Sequence, residues 1–358
     1  MKSNQAALKQ LRESMVKKRV DALYISNPPN IRYLSGFSTP ADGKLVVTHN
    51  SVRLFTDFRY TVQTKEECFV PVTIWKGKNR LSHVKRHLNR KNIKTLGIEA
   101  DHTTVGTLKT LKDAFDCRIK QTNGMVDELR VVKAPDEIER IRKAAEINDR
   151  AFDHMLGFLK PGLTEIDATL ELEWFLRRNG AFEIAFDVIA AAGPNGAKPH
   201  AHPSKRKIKN NELLTLDFGS VWEGYRSDMT RTVGFGRPGR KLKKIYRTVL
   251  DAQVAGVEAI KPGTVGKDAD RISRKIIKDA GYDKYFGHSL GHGVGLQIHE
   301  LPRLAPHSKD ILKPGMVVTV EPGIYVPDFA GVRIEDLVLV TEDGKDVLSN
   351  APKELICL

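Results

Sequence analysis

Residues 212–233 read ELLTLDFGSVWEGYRSDMTRTV, and residues 315–340 read GMVVTVEPGIYVPDFAGVRIEDLVLV. The two stretches echo each other. Each opens on an apolar, β-rich run that ends in an acid and a glycine, Asp217-Phe218-Gly219 in one and Glu321-Pro322-Gly323 in the other. A turn follows in each, and then a second β-rich run holding another acid, Asp228 in the first and Glu335 in the second. Apolar runs bounded by Gly and Pro are strand and turn signals, and similarity repeated inside one chain marks a duplicated unit. Helical sequence accompanies the echo, RKLKKIYRTVLDAQVAGVEAI (240–260) and KDADRISRKIIKDAG (267–281). The expectation is two related hairpin-plus-helix halves packed face to face.

Asp217, Glu321 and Glu335 lie inside apolar runs, where an ionised acid needs a cation, a metal or several donors. Asp228 stands on the partner strand of the first hairpin. Two hairpins brought together place four carboxylates near one point, and their repulsion calls for divalent cations. The stretch GHSLGHGVGLQIHE (287–300) adds His288, His292 and His299 among four glycines. Glycine allows a tight backbone path and close approach of other groups. Acids with one imidazole and no cysteine suit two divalent ions, manganese first, with cobalt, zinc or iron(II) as alternatives. A water shared by two such ions becomes hydroxide near neutral pH, a nucleophile for an acyl carbon. The sequence holds no GxSxG elbow and no GxxxxGK[ST] phosphate loop to compete with that reading.

Outward from this core, the first third alternates strand-like and helical runs. DALYISN (21–27) and KTLGIEA (94–100) read as strands, and KLVVTHN (44–50) with VRLFTDF (52–58) as a hairpin. SHVKRHLNRK (82–91) and VGTLKTLKDAF (105–115) read as helices. Leu8, Leu11, Met15 and Val16 sit at helical spacing and predict an amphipathic first helix. Such alternation is an α/β pattern. GMVDELRVVKAPDE (124–137) marks a boundary, so an N-terminal α/β domain over 1–127 and a second domain over 128–358 are expected. The second opens on a long helix behind Pro135. A shorter helix follows, with a capping box at Thr164 and a stop at Gly180.

The 358 residues are 41% hydrophobic and 28% charged, ordinary for a globular protein. The net charge of +14 raises the question of nucleic acid, but it is uneven. Residues 1–127 carry 23 Lys and Arg against 11 Asp and Glu, and the remainder 35 against 33. The excess is scattered, with no aromatic-interleaved stripe or zinc-finger spacing, so a nucleic-acid partner is not expected. No apolar run is long enough to span a membrane. Three cysteines at wide spacing predict no disulfide framework, and with no apolar leader a cytoplasmic protein is expected.

The chain resembles the pita-bread metallopeptidases, the group of methionine aminopeptidase, aminopeptidase P and prolidase. The similarity to the prolidase and aminopeptidase P branch covers essentially the whole length. DALYISNPPNIRYLSGF (21–37) and LFTDFRY (54–60) are similar to that branch's creatinase/prolidase-like N-terminal domain. AAGPNGAKPHAHPS (191–204), TLDFGSVWEGYRSDMTRT (215–232), GHSLGHGVGLQIHE, VEPGIYVP (320–327) and GVRIEDLVLV (331–340) are similar to its catalytic blocks. The resemblance implies an α/β (α+β) chain ending in a pita-bread catalytic domain with pseudo-twofold halves. It implies a dinuclear-metal Xaa-Pro peptidase, cutting between an N-terminal residue and a following proline in dipeptides or short peptides.

Position by position, the resemblance makes Asp217 a ligand of one metal, His292 and Glu321 ligands of the other, and Asp228 and Glu335 bridges. It implies His200 as an active-site histidine, with His202 as the neighbour open to confusion with it, and His299 as the histidine that holds the substrate carbonyl or the oxyanion. His288 and Tyr325 are implied as pocket residues, Arg333 as an orienting arginine, and Glu321 as the acceptor of the proton from water. Arg303 would either bind a dipeptide's C-terminal carboxylate or form a loop salt bridge. A homodimer whose N-terminal domain limits substrate length is implied as well. The alternatives are a methionine aminopeptidase-like enzyme, which the extra N-terminal domain opposes, and a metal-free peptide-binding module, which retention of all five ligands opposes.

Overall fold

The computed structural model describes residues 2–77 and 79–358, with side chains from residue 5 onward. The chain divides into two compact units, residues 1–130 and 131–358.

The first unit contains α1 (Lys2–Lys17), β1 (Ala22–Ile25), α2 (Pro28–Ser35), β2 (Lys44–Thr48), β3 (Val52–Thr56), α3 (Gln63–Glu67), β4 (Val72–Ile74), α4 (Arg80–Arg90), β5 (Thr95–Glu99), α5 (Val105–Ala114) and β6 (Arg118–Thr122). Its mixed sheet runs β4-β3-β2-β1-β5-β6, antiparallel from β1 to β3 and parallel elsewhere. Alternate residues of β1 serve opposite faces. Leu23 and Ile25 pack with Leu11 and Met15 of α1, whereas Ala22 and Tyr24 pack with Val84 and Leu88 of α4. Both faces are therefore covered, and the strand is apolar throughout. The α1 prediction holds for Leu8, Leu11 and Met15 but not for Val16, which is 64% exposed. Val16 follows Met15 directly and so lies about 100° around the helix from it.

The second unit is a duplication. Two helices come first, α6 (Pro135–Phe158) and α7 (Glu165–Arg178), then the short strands β7 (Glu183–Ile184) and β8 (Ile189–Ala192), then β9 (Leu213–Phe218), β10 (Ser220–Trp222), β11 (Tyr225–Arg226) and β12 (Met229–Gly234). The order repeats with α8 (Arg240–Glu258), α9 (Gly266–Asp279), β13 (Gly291–Gly293), β14 (Glu300–Leu304), β15 (Val317–Val320), β16 (Gly323–Val326), β17 (Ala330–Arg333) and β18 (Asp336–Val340), and β19 (Lys345–Val347) closes the edge. Each half is more than the single hairpin expected. It is an outer strand pair, β9 with β12 or β15 with β18, enclosing an inner hairpin, β10–β11 or β16–β17. The inner pair sits in a different sheet from the outer pair, so the chain must leave and rejoin the outer ladder.

Local chemistry sets the helix ends. Pro135 occupies the first turn of α6, where its missing N–H costs nothing. Glu137 reaches back to accept from the Ala134 amide at 2.9 Å. At α7, Thr164 Oγ1 accepts from the Asp167 amide, and the Asp167 carboxylate accepts from the Thr164 amide. Gly180, at φ 104°, supplies the left-handed residue that ends α7.

The strand pleat orients the site. In β9, Leu214, Leu216 and Phe218 join the core beneath α6 and α7, with Phe152, Met155, Leu172 and Leu176. Thr215 and Asp217 therefore project from the opposite face. In β12, Met229 and Val233 join that same core, which leaves Thr230 and Thr232 on the Asp217 side.

Candidate active site

Of the four acids, only Asp217 lies within a strand. Glu321 falls one residue past β15, and Asp228 and Glu335 each stand one residue before a returning outer strand, β12 and β18. Asp228 and Glu335 are thus equivalent positions of the duplication. Each is placed where the chain re-enters the outer ladder and a regular pleat no longer dictates its direction. The expectation that Asp228, Glu321 and Glu335 are strand residues is corrected accordingly.

Asp228, His292 and Glu335 each present a ligand atom within 4.8 Å of the other two. His292 Nε2 lies 3.7 Å from Asp228 Oδ2 and 3.3 Å from Glu321 Oε1. Its Nδ1 lies 3.1 Å from the Gly293 carbonyl oxygen, which can only accept, so Nδ1 carries the proton and Nε2 faces the acids. The flanking glycines are required. A methyl group at Gly291 would overlap the Thr319 carbonyl oxygen, and one at Gly293 the Leu301 carbonyl oxygen.

Two threonines join these elements. Thr230, directly opposite Asp217 in the β9–β12 ladder, donates from Oγ1 to Glu335 Oε2 at 2.7 Å and accepts from Arg333 Nε at 3.1 Å. Thr319 accepts from the His292 amide and donates to Glu321 Oε1, both at 3.1 Å. The Glu321 amide donates to the Leu290 carbonyl at 2.8 Å, and the Glu335 amide to the Thr230 carbonyl at 3.1 Å.

Arg333 is buried and pairs through Nη2 with Asp217 Oδ2. Its Nη1 donates to the Tyr325 hydroxyl at 2.7 Å and to the Pro199 carbonyl at 3.2 Å. The Tyr325 hydroxyl also lies 2.9 Å from His288 Nε2. Because His288 Nδ1 faces the Ser289 carbonyl at 2.8 Å, Nδ1 holds the proton of the neutral ring and Tyr325 donates to Nε2. The pocket loop is held from α9. Arg274 grips Asp270 with two bonds at 2.8 Å and donates to the Phe286 and His288 carbonyls, and Asp270 accepts from the Leu290 amide.

Pro199, whose carbonyl accepts from Arg333, brings the neighbouring His200 to the edge of this network. His202 is exposed beyond the buried Ala201 and has no described contact with the acids or with Arg333. The His299 ring lies 4.4 Å from that of His292, edge to face. Arg303 is exposed on β14 and stands opposite His292 in the β13–β14 register. Directly opposed residues of an antiparallel pair share a face, and the Arg303 charge reaches His299.

The electrostatics are those of several acids buried together. Burial, despite Arg333, raises the Asp217 carboxyl. Burial and then the neighbouring acids raise Asp228 and Glu335 well above the ordinary carboxylate range. Burial also works against a charge on Glu321 and His292, but their pairing outweighs it, so Glu321 is held down to about 2 and His292 is raised. Burial lowers His288 and His299 and raises Tyr325 to about 12. Asp217 Oδ1 and Glu335 Oε1 are buried without a hydrogen-bond partner. Unpartnered, buried carboxylate oxygens converging with an imidazole nitrogen are the donor set that a hard or borderline divalent cation requires, and the residues fit such ions.

The resemblance named the ligand and pocket positions, but not Thr230, Thr319, Arg274 or Asp270. Short threonines beside acids in β-rich runs carry no signal until the strand pairing is known.

Comparison with known proteins places both units in known families. Residues 139–342 match Metallopeptidase family M24, and residues 8–132 match the Creatinase/Prolidase N-terminal domain. A Xaa-Pro dipeptidase of Pyrococcus horikoshii is 38% identical, covering 98% of each chain. The solved Xaa-Pro dipeptidase from Bacillus anthracis superposes with a TM-score of 0.96 at 41% identity, covering 99% of this chain and 100% of that one. An X-Pro aminopeptidase from Thermotoga maritima superposes at 0.90 with 35% identity, covering 95% and 98%. Among the described residues no helix is long and apolar enough to cross a membrane, and all three cysteines are free.

Proposed function

Since this chain belongs to metallopeptidase family M24, we propose that its acidic site hydrolyses the bond between an N-terminal residue and a following proline, as a metal-dependent Xaa-Pro dipeptidase. The observation that carries the reading is the convergence of Asp217, Asp228, His292, Glu321 and Glu335 with two orphaned carboxylate oxygens, in a chain similar over its whole length to Xaa-Pro dipeptidases.

Asp217, Asp228, His292, Glu321 and Glu335 would hold two divalent ions, with manganese the first expectation ahead of cobalt, zinc or iron. Bound there, such ions polarise a carbonyl and lower the pKa of water. The chain supplies the rest. Glu321, kept ionised, accepts a proton and returns it to the leaving prolyl nitrogen. Neutral His299 donates to the substrate carbonyl oxygen, and His200 faces the same space from the Pro199 side. Arg333 keeps one Asp217 oxygen engaged so that the other points inward. His288 and Tyr325 form a wall for the prolyl ring. Arg303, on the His292 face, takes the C-terminal carboxylate of a dipeptide. Longer Xaa-Pro peptides are the second reading, favoured by the likeness to an X-Pro aminopeptidase.

Two features go with this proposal, a homodimer and an N-terminal unit that limits substrate length. Light scattering tests the first, with a mass twice that of the chain expected. The activity test is hydrolysis of an Xaa-Pro panel by chelator-treated protein with and without added Mn2+. Asp217→Asn should abolish the metal-dependent rate, and a rate indifferent to both would reject the enzyme.

A further inference from the structure

Directly behind Glu335 lies a buried ion pair that the proposed chemistry does not use. Arg231 is 1% exposed and Asp336 0% exposed. Each is chain neighbour to a residue of the site, Arg231 to Thr230 and Asp336 to Glu335. The pleat turns Arg231 away from the acids, toward the core side of β12.

All five N–H groups of the Arg231 guanidinium are needed to meet the acceptors around it. Nη1 donates to the carbonyls of Thr230, at 2.9 Å, and of Glu335. Nη2 donates to Asp336 Oδ1 and to the Ala351 carbonyl, both at 2.8 Å. Nε is shared between the Ala351 and Pro352 carbonyls at 3.2 and 3.1 Å. The other Asp336 oxygen accepts from Gln253 at 2.8 Å and from Lys353 at 2.6 Å. One planar cation therefore ties the backbone of Thr230 and Glu335 to Ala351 and Pro352, and Asp336 adds Lys353.

A buried pair of this kind is a doubtful source of net stability, because desolvation offsets much of the attraction. Its geometry indicates another use. Glu335 sits outside regular strand structure, so the pleat does not fix its direction. Its carboxylate is set by Thr230 Oγ1, and its backbone by the Thr230 and Arg231 contacts. Carbonyl oxygens gripped by a rigid guanidinium fork do not shift independently.

We propose that Arg231, Asp336 and Lys353 form a positioning clamp for Glu335, and that the C-terminal segment 351–353 is thereby a working part of the metal site. The proposal rests on the reading of Glu335 as a metal ligand. The clamp touches neither substrate nor ion, so its effect appears in how tightly the apo protein takes up metal.

The test is Mn2+ titration of the full-length apo protein, followed by the loss of the free-ion paramagnetic signal, at a temperature where circular dichroism shows each variant folded. Arg231→Lys, Asp336→Asn and Lys353→Met should each weaken Mn2+ binding, with the first two falling in the range of about 10- to 100-fold typical of groups that orient a ligand. Glu335→Gln is the reference. If it weakens binding and the clamp variants do not, the clamp is overturned and the ligand reading stands. If Glu335→Gln leaves binding unchanged, both fall. Should the Arg231 and Asp336 variants fail to fold, Lys353→Met decides alone, since it removes one partner of Asp336 and leaves the Arg231 contacts in place. A lowered melting temperature with unchanged Mn2+ affinity would reduce the clamp to a structural brace and overturn it.

Discussion

Thr230 donates its hydroxyl hydrogen to Glu335 at 2.7 Å, joining the returning strand of one half to the acid that opens the returning strand of the other. The same oxygen accepts from Arg333 Nε, which in turn holds Asp217. One hydroxyl thus relates two acids from opposite halves of the duplication. Thr230→Val keeps the volume but leaves a buried arginine N–H without this acceptor, at a cost of about 1–3 kcal/mol. The expected outcome is a lower melting temperature and a loss of about 10- to 100-fold in kcat/KM at limiting metal. Thr230→Ser should recover most of both. Wild-type kinetics in the valine variant would show that the threonine does not orient Glu335.

Glycine at 291 is set by the approach of β15, whose Thr319 carbonyl fills the space a side chain would need. Gly291→Ala must push β13 away from β15 and carry His292 with it. Overpacking costs about 1–3 kcal/mol where neighbours can adjust, and here the neighbour is backbone. Gly239→Ala is the control, because its added methyl meets nothing within 4 Å. Metal binding and hydrolysis should fail in the first variant and persist in the second.

The clustering of acids was legible because acids in apolar runs are conspicuous, and because Asp217, Asp228, Glu321 and Glu335 recur in two similar stretches. The duplication was legible for the same reason. Its nested form was not. Gly219 and Pro322 read as turns within a hairpin, whereas they mark the crossings from outer to inner pairs. Which face of β12 meets the site was hidden too, since every residue of the strand is buried and no polar alternation shows it. Arg231 reads in isolation as a surface cation and is instead among the most enclosed side chains of the unit. Burial of a charge is a property of its partners, here the Glu335 and Ala351 carbonyls and Asp336, far away in sequence.

Metal and pH should be linked through the same acids. Burial, with repulsion among the neighbours, raises Asp217, Asp228 and Glu335. A group whose folded-state pKa exceeds its unfolded value lends stability below the unfolded pKa and loses it as pH rises through the folded one. The apo protein should therefore lose the contribution of these acids as pH climbs above the ordinary carboxylate range, about 4. Glu321, held down to about 2, has the opposite sign, and its contribution is lost only as pH falls toward that value. Divalent ions take ionised ligands, so the gain in melting temperature on adding Mn2+ should be small below about pH 5 and should grow toward neutrality. Thermal scans with Mn2+ or with chelator, across pH, check this. A gain independent of pH would mean the acids are not the groups that bind.

We propose that Arg303 sets substrate length. It faces the same side of the sheet as His292, and among the described residues its guanidinium has no ion pair, while its amide donates to Asp310 at 2.8 Å. A free carboxylate one residue beyond the scissile bond is present in an Xaa-Pro dipeptide and absent from Xaa-Pro-Yaa-Zaa at the same place. Hydrogen bonds to charged groups contribute about 1.5–3 kcal/mol, so Arg303→Met should raise KM for the dipeptide by roughly 10- to 150-fold. The change in kcat should be small, because the arginine acts on a part of the substrate whose charge does not alter during hydrolysis. The tetrapeptide should be indifferent to the substitution. Equal losses for both substrates would assign Arg303 to the loop it sits in, and a wild-type preference for the tetrapeptide would remove the carboxylate role and leave the second reading of the substrate.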